Sequence, residues 1–342
     1  MKKIQYIYFL NIAATIAVLY LHCNGCFWTY SDSFVWKSSV YIETLFYWAV
    51  PVFFMIPGVT LIDYRDRCST REYFSRRIKK TLVPYIFWIN VPFIYKGVLS
   101  GQLSSFSLSK VIDNLVNSRG ESIYWFFVPL FILYCSIPFL GMIDFEKRKR
   151  CYTYLFLFAF ITESFIPFVL TLLNIEISDY ITSPVSGGFL LYPLLGYLIE
   201  YCYKLNFKQR LIVYVLGAIS WFLRLHFVIH WSIRDGAINN VWGGYLNVPT
   251  IIYSVAIFVF FKYEALKLFK KRQNNIFIPQ VASLGLGVYL IHIYFVNRIP
   301  RILNISNETL VWRIVGPLFL YCLCIVVVSC MKKVPIIKYL VP

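Results

Sequence analysis

Apolar residues run along this chain in long blocks rather than in the narrow stripe of a soluble amphipathic helix. Four blocks carry no charged residue: Ile4–Ser31 (28 residues), Ser122–Ile143 (22), Gly236–Phe261 (26) and Gln273–Asn297 (25). A helix needs roughly 20 apolar residues to cross a bilayer core, so each block can span. With the shorter or singly interrupted blocks added, the pattern predicts ten helices, centred near residues 16, 51, 90, 133, 163, 195, 221, 255, 290 and 321. The expected fold class is all-α, a polytopic membrane helix bundle. It is expected to form a single domain over residues 1–342, with no internal repeat and no appended soluble domain. Lys2 and Lys3 precede the first block as they would a signal peptide. That block lacks a small-residue cleavage site and ends in His22 and aromatics, so it is expected to be retained.

Composition sharpens the class. Hydrophobic residues make up 59% and charged residues 14%, against about 45–50% and about 25% in soluble domains. Soluble, disordered and fibrous readings are excluded. The net charge of +17 would point to nucleic acid in a soluble protein, but here the location of the basic residues decides. Placing the N-terminus inside puts 24 of the 33 Lys and Arg in the termini and the segments 63–81, 144–152, 204–210 and 262–280. Eight then face outside, and Arg224 falls within a helix. Cytoplasmic loops collect Lys and Arg, so an N-in/C-in topology is expected, with the lipid bilayer as partner and no role for nucleic acid.

Ionisable groups inside a membrane are functional candidates by default. Here they are His22, Glu43, Glu163, Arg224, His226, His230 and His292. His22, Glu163, Arg224 and His292 lie on the order of 15–25 Å up their helices, which implies a shared cavity reached from outside. Glu163 and Arg224 read either as a structural ion pair or as substrate contacts. Glu43 lies near a helix end and is expected to reach water, and His230 is expected at the interface. Cys23 and Cys26 have a Cys-x-x-Cys spacing beside His22, but no second ligand pair lies nearby, and no metal is expected. The segment Asp63–Thr81 carries seven basic and three acidic residues. It reads either as a positive-inside anchor or as a site for a polyanion such as coenzyme A, because Arg forks and Lys charges suit phosphate.

Four stretches resemble one family. They are Leu10-Asn11-Ile12-Ala13-Ala14 running to Leu21-His22, then Val50-Pro51-Val52-Phe53-Phe54-Met55-Ile56-Pro57-Gly58, then Tyr73-Phe74-Ser75-Arg76-Arg77-Ile78-Lys79-Lys80 with Pro84, and Ser283-Leu284-Gly285 through Val288-Tyr289-Leu290-Ile291-His292. Tyr124-Trp125-Phe126-Phe127 adds a weaker match. In this order, with ten helices, the chain resembles the acyltransferase-3 family of integral membrane O-acyltransferases, which move acyl groups, usually acetyl, onto sugars of cell-surface polymers. It departs from that pattern where Asn11 replaces an Arg, Ile123 a His and Pro57 a Ser.

The resemblance implies transfer from cytoplasmic acetyl-CoA (acyl-CoA), with no permanently bound cofactor, to a carbohydrate acceptor on a surface polysaccharide or lipid-linked sugar. It implies a multi-pass protein of the bacterial cytoplasmic membrane. A sugar hydroxyl is a poor nucleophile, and a His can accept its proton. His22 is then the base and His292 its orienting or oxyanion-stabilising partner. Asn11, Tyr289, Trp125, Glu163 and Arg224 support them, while Arg76, Arg77 and Lys80 hold the coenzyme phosphates. Direct transfer and a covalent acyl intermediate both remain open. The rival class is a transporter or flippase for a sugar or small solute, using the same charges to bind substrate. A non-catalytic assembly or sensing protein is the third.

Overall fold

The computed structural model describes residues 4–99, 107–178, 180–183, 185–265, 267 and 277–342. Lys2, Lys3, Lys270, Lys271 and Arg272, all counted in the charge argument above, lie outside the described residues. Among those described there is no strand. All ten predicted positions carry a helix. We label the helices α1 (Gln5–His22), α2 (Phe34–Leu61), α3 (Thr70–Leu99), α4 (Leu108–Asn117), α5 (Ser122–Leu140), α6 (Phe145–Leu172), α7 (Gly188–Cys202), α8 (Phe207–Asp235), α9 (Val248–Ala265), α10 (Phe277–Ile291 continued by Ile293–Ile302) and α11 (Leu310–Met331).

The expected ten full spans need one correction. Eight of these helices are long and apolar enough to cross a membrane, and α10 makes a ninth only as a pair bent by 61°. The tenth position, α7, is apolar but shorter than a span. It is wholly buried from Leu191 to Tyr197, so it needs no lipid-facing length.

The bundle is built around α2 and α7. Lipid gives packed helices no hydrophobic reward over lipid-facing ones, so close approach depends on small residues. Gly58 of α2 meets the carbonyl of Pro193, and Gly196 of α7 meets that of Met55; a Cβ at either would collide with the neighbouring backbone. At the periphery, α6 and α8 show Tyr154, Leu157, Leu211, Ile212 and Phe222 outward, as a lipid-facing surface requires. Buried Arg313 of α11 donates to the carbonyls of Val35 and Glu308 (both 3.1 Å) and to the Ser38 hydroxyl (3.0 Å), clamping α11 to the start of α2. It belongs to the bundle and not to an outer loop.

Two elements were not foreseen. α4 exposes Leu108, Ile112 and Val116 on one stripe, while Asn114 on its other side donates to the Ile89 carbonyl of α3 (3.2 Å). An apolar stripe on a short polar helix suits a membrane interface. Most of Asp63–Thr81, read as a loop, is the first part of α3. Ser69 accepts from the Glu72 N–H (3.2 Å), and Ser-x-x-Glu is a capping-box pattern that starts the helix at Thr70. The ladder then widens to a π turn at Ile78–Leu82, just before Pro84, which has no N–H to offer.

Candidate active site

Two cavities lie end to end in the bundle. The one beside the first half of α1, called inner here for that place on the helix, is about 210 Å³ and is lined by Asn11, Pro57, Thr60, Arg77, Tyr134 and Gly285 among others. The outer one, about 300 Å³, is lined by His22, Glu43, Ser122, Ile123, Trp125 and Tyr245 among others. Val18, Val50, Phe126 and Tyr289 line both and form the waist between them. Asn11, Val18 and His22 fall on one stripe of α1, because offsets of seven and four residues return to the same helix face. One helix face therefore runs the length of both cavities.

His22 closes α1 and His292 sits at the break in α10. Their rings meet edge to face, with centroids 4.9 Å apart and an interplanar angle of 71°. Nδ1 of His292 lies 2.6 Å from the Tyr289 carbonyl. A carbonyl only accepts, so in the neutral ring Nδ1 carries the proton and Nε2 keeps its lone pair. That Nε2 is buried and has no protein partner. The bend is pinned to the start of α5 by two reciprocal hydrogen bonds. Tyr289 donates its hydroxyl to the Ile123 carbonyl, and Tyr124 donates to the Leu290 carbonyl (2.6 Å). Tyr289 and Trp125 both line the outer cavity.

Of the three expected coenzyme ligands, the structure turns one inward. Arg77 enters the inner cavity, with its guanidinium 5.5 Å from the Tyr134 ring centre and 5.9 Å from that of Tyr73. Its Nε is buried without a partner. Arg76 instead pairs with Glu72 (2.5 Å) on the exposed side of α3, and Lys80 is exposed. A cation with unfilled donors at one end of a passage, and two imidazoles at the other, can hold an anionic group and move a proton some distance from it.

Residues 4–331 match the family model of an acyltransferase domain, that of the acyltransferase-3 family. The chain belongs to the acyltransferase-3 family. It is thus a multi-pass membrane acyltransferase. Neither a curated protein nor a solved structure matches it. The three positions read from the resemblance as departures all line the cavities: Asn11 and Pro57 the inner one, Ile123 the outer.

Other residues of the acyltransferase lie elsewhere than expected. Glu163 and Arg224 do not pair. Glu163 accepts from the Ser183 N–H (2.7 Å), whereas Arg224 is buried, with its guanidinium 3.7 Å from the centre of the Tyr47 ring. Glu43 is the carboxylate whose field reaches Arg224, but the two form no ion pair. Glu43 is 4% exposed and faces the outer cavity, so it does not simply reach water. His226 and His230 lie with ring centres 4.2 Å apart, tilted by 46°, on the exposed face of α8, away from Arg224. Cys23 and Cys26 are free thiols.

Sequence reasoning missed Tyr47 and Tyr245. Arg224, Tyr47, Tyr245 and Trp125 form a stack, with ring centres 4.2 Å apart for Tyr47–Tyr245 and 5.4 Å for Tyr245–Trp125. Gly244, at φ 92°, turns the backbone so that Tyr245 enters it. The Gly243-Gly244 pair was the available signal.

Proposed function

We propose that this acyltransferase moves an acyl group, acetyl in the first instance, from cytoplasmic acyl-CoA to a hydroxyl of a cell-surface or lipid-linked sugar. The observation that carries this reading is the pair of cavities joined at Val18, Val50, Phe126 and Tyr289, with Arg77 at one end and His22 with His292 at the other. Arg77 takes a phosphate of the coenzyme, and the flexible arm of the coenzyme brings the thioester through the waist. The +17 charge and its clustering between spans support an inner end on the cytoplasmic side, in the cytoplasmic membrane of a bacterium.

His22 accepts the proton of the sugar hydroxyl as its oxygen attacks the thioester carbonyl. A C–O bond forms, the C–S bond breaks, and the coenzyme thiolate leaves and takes up a proton. His292 is a positioning residue. Its Nδ1–H is fixed on the Tyr289 carbonyl, and its Nε2 lone pair is free to receive an N–H of His22, leaving the other His22 nitrogen as base. Direct transfer needs no acyl-enzyme, and the four residues that line both cavities support it. Arg77 fills the charge role that Asn11 leaves vacant in the same cavity.

The test is the purified protein in detergent with radiolabelled acetyl-CoA and the de-esterified surface polysaccharide of cells that carry it. Label is expected on the glycan. Binding of acetyl-CoA with no transfer to any glycan hydroxyl would defeat the reading. Movement of sugar without thioester consumption would return the protein to the transporter class.

A further inference from the structure

A third cavity, about 380 Å³, lies beside the outer one and shares two of its wall residues, Trp125 and Tyr245. Its far wall comes from α6, where the ladder widens to a π turn at Ile161–Phe165 and carries Glu163 and Ser164 to the lining. Such turns recur at functional sites because they shift side chains off the regular helix face.

The polar groups in this wall are held by the protein yet incompletely used. Ser164 is 2% exposed and its hydroxyl has no partner. Asn247 donates its amide to the carbonyls of Val241 and Gly243 (both 2.7 Å), which fixes its orientation and leaves a buried Oδ1 with no donor. Glu163 spends Oε1 on the Ser183 N–H, and Oε2 remains as an acceptor. A buried polar atom left unpaired is costly, so two such atoms, Ser164 Oγ and Asn247 Oδ1, beside the Glu163 carboxylate call for a ligand or water with several hydroxyls. Aromatic rings face them: Trp125 packs 5.7 Å from Phe189, and both line the space. Aromatic faces opposed to hydroxyl, amide and carboxylate groups match the two kinds of surface on a sugar ring. Among the described residues Glu163 is the one charged residue lining it, so a neutral or amino sugar fits and an acidic one does not.

We propose that this cavity is a second sugar subsite. It holds the unit next to the one that receives the acyl group, so the acceptor is a glycan chain rather than a monosaccharide. Trp125 stands between the subsites and contacts both units. The inference rests on the acceptor reading above and adds the length of the acceptor to it.

The experiment compares two probes on the full-length enzyme: de-esterified surface polysaccharide of cells that carry the protein, and the monosaccharides released from it by acid. The parent should use the polymer with a kcat/KM at least about tenfold above that for the monosaccharides. Ser164→Val and Glu163→Gln should each lower that ratio by about three- to tenfold, the range of one hydrogen bond. Acetyl-CoA binding, read separately in each variant, reports whether the inner cavity is intact. A parent that uses both probes equally, or two variants that bind acetyl-CoA and keep the parental ratio, would overturn the subsite alone and leave the acyltransfer reading standing. Acetylation of neither probe would overturn the acceptor reading and the subsite with it.

Discussion

Asn11 of α1 and Gly285 of α10 touch so closely that a Cβ on Gly285 would lie 2.7 Å from the Asn11 Oδ1. The same two helices carry His22 and His292 at the other end, so the width of this contact helps to set the distance between the two rings. Gly285→Ala is expected to destabilise by about 1–3 kcal/mol, the usual cost of overpacking. Asn11→Ala in the same chain should recover part of that loss, with a coupling of at least about 0.5 kcal/mol because the side chains share one space. Melting temperatures in detergent for the two single variants and the double variant measure this. Additive losses would show that Thr15, 3.0 Å from the same point, is the true obstacle.

Position 11 also tests the division of labour within the inner cavity. Asn11→Arg adds a second cation beside Arg77 and is expected to tighten acetyl-CoA binding about three- to tenfold at low salt, with the gain shrinking as salt rises. Asn11→Ala should change affinity by less than about threefold. Calorimetric titration at two salt concentrations decides. An unchanged affinity in Asn11→Arg would mean that the coenzyme phosphates bind elsewhere.

Arg77, Arg76 and Lys80 separate a cavity ligand from a surface charge. A hydrogen bond to a charged group is worth about 1.5–3 kcal/mol, so Arg77→Gln is expected to weaken acetyl-CoA binding by about ten- to a hundredfold. Arg76, paired with Glu72, and exposed Lys80 should each cost less than about threefold when changed to Gln. Equal losses at all three positions would favour a diffuse basic surface over a site.

What the sequence made legible follows from what apolar runs encode. They report helices that need lipid or core, and the ten positions were found. They do not report bends, so the unbroken run Gln273–Asn297 hid the break at His292. Level along a helix was what the sequence offered, and azimuth was not. Glu163 and Arg224 were matched by level, but the π turn in α6 aims Glu163 at Ser183, and Arg224 faces Tyr47. Charge density made Asp63–Thr81 read as a loop although Ser69 and Glu72 already spelled a helix start. His22 and His292 were legible through the resemblance. Their contact, and the backbone carbonyl that sets the tautomer of His292, depend on tertiary structure alone.

Arg224 supplies a test of stability rather than catalysis. It is stacked on Tyr47, and the field of Glu43 reaches it; both side chains are buried. Leaving a buried polar group without its compensating partner typically costs about 1–3 kcal/mol, and more for a charged one. Arg224→Met should therefore lower the melting temperature sharply, and Glu43→Gln added to it should restore much of the loss. A double variant no better than Arg224→Met would assign the role of Arg224 to its stacking on Tyr47.

In the proposed mechanism the two histidines have different roles, and these predict different responses. His22 lines the outer cavity, whereas His292 is fully buried behind it. Loss of a general base typically costs about a hundred- to ten-thousandfold, so His22→Ala should abolish measurable transfer. Acetyl-CoA should still bind within about twofold, since Arg77 lies in the other cavity. His22→Gln cannot accept a proton and should be equally inactive. His292→Ala should be slower by about ten- to a hundredfold. His292→Gln, which offers an acceptor oxygen near the position of Nε2, should recover a good part of that, because a positioning role needs the lone pair and not the proton transfer. The pH–rate profile of His292→Gln should also move relative to the parent, as the environment of the His22 ring has changed. His226→Ala and His230→Ala, on the exposed face of α8, should stay near the parental rate. A folded His22→Ala enzyme that still acylates glycan at close to the parental rate would remove His22 as the base. Recovery of His22→Ala, but not His292→Ala, by added imidazole would fix the order of the pair.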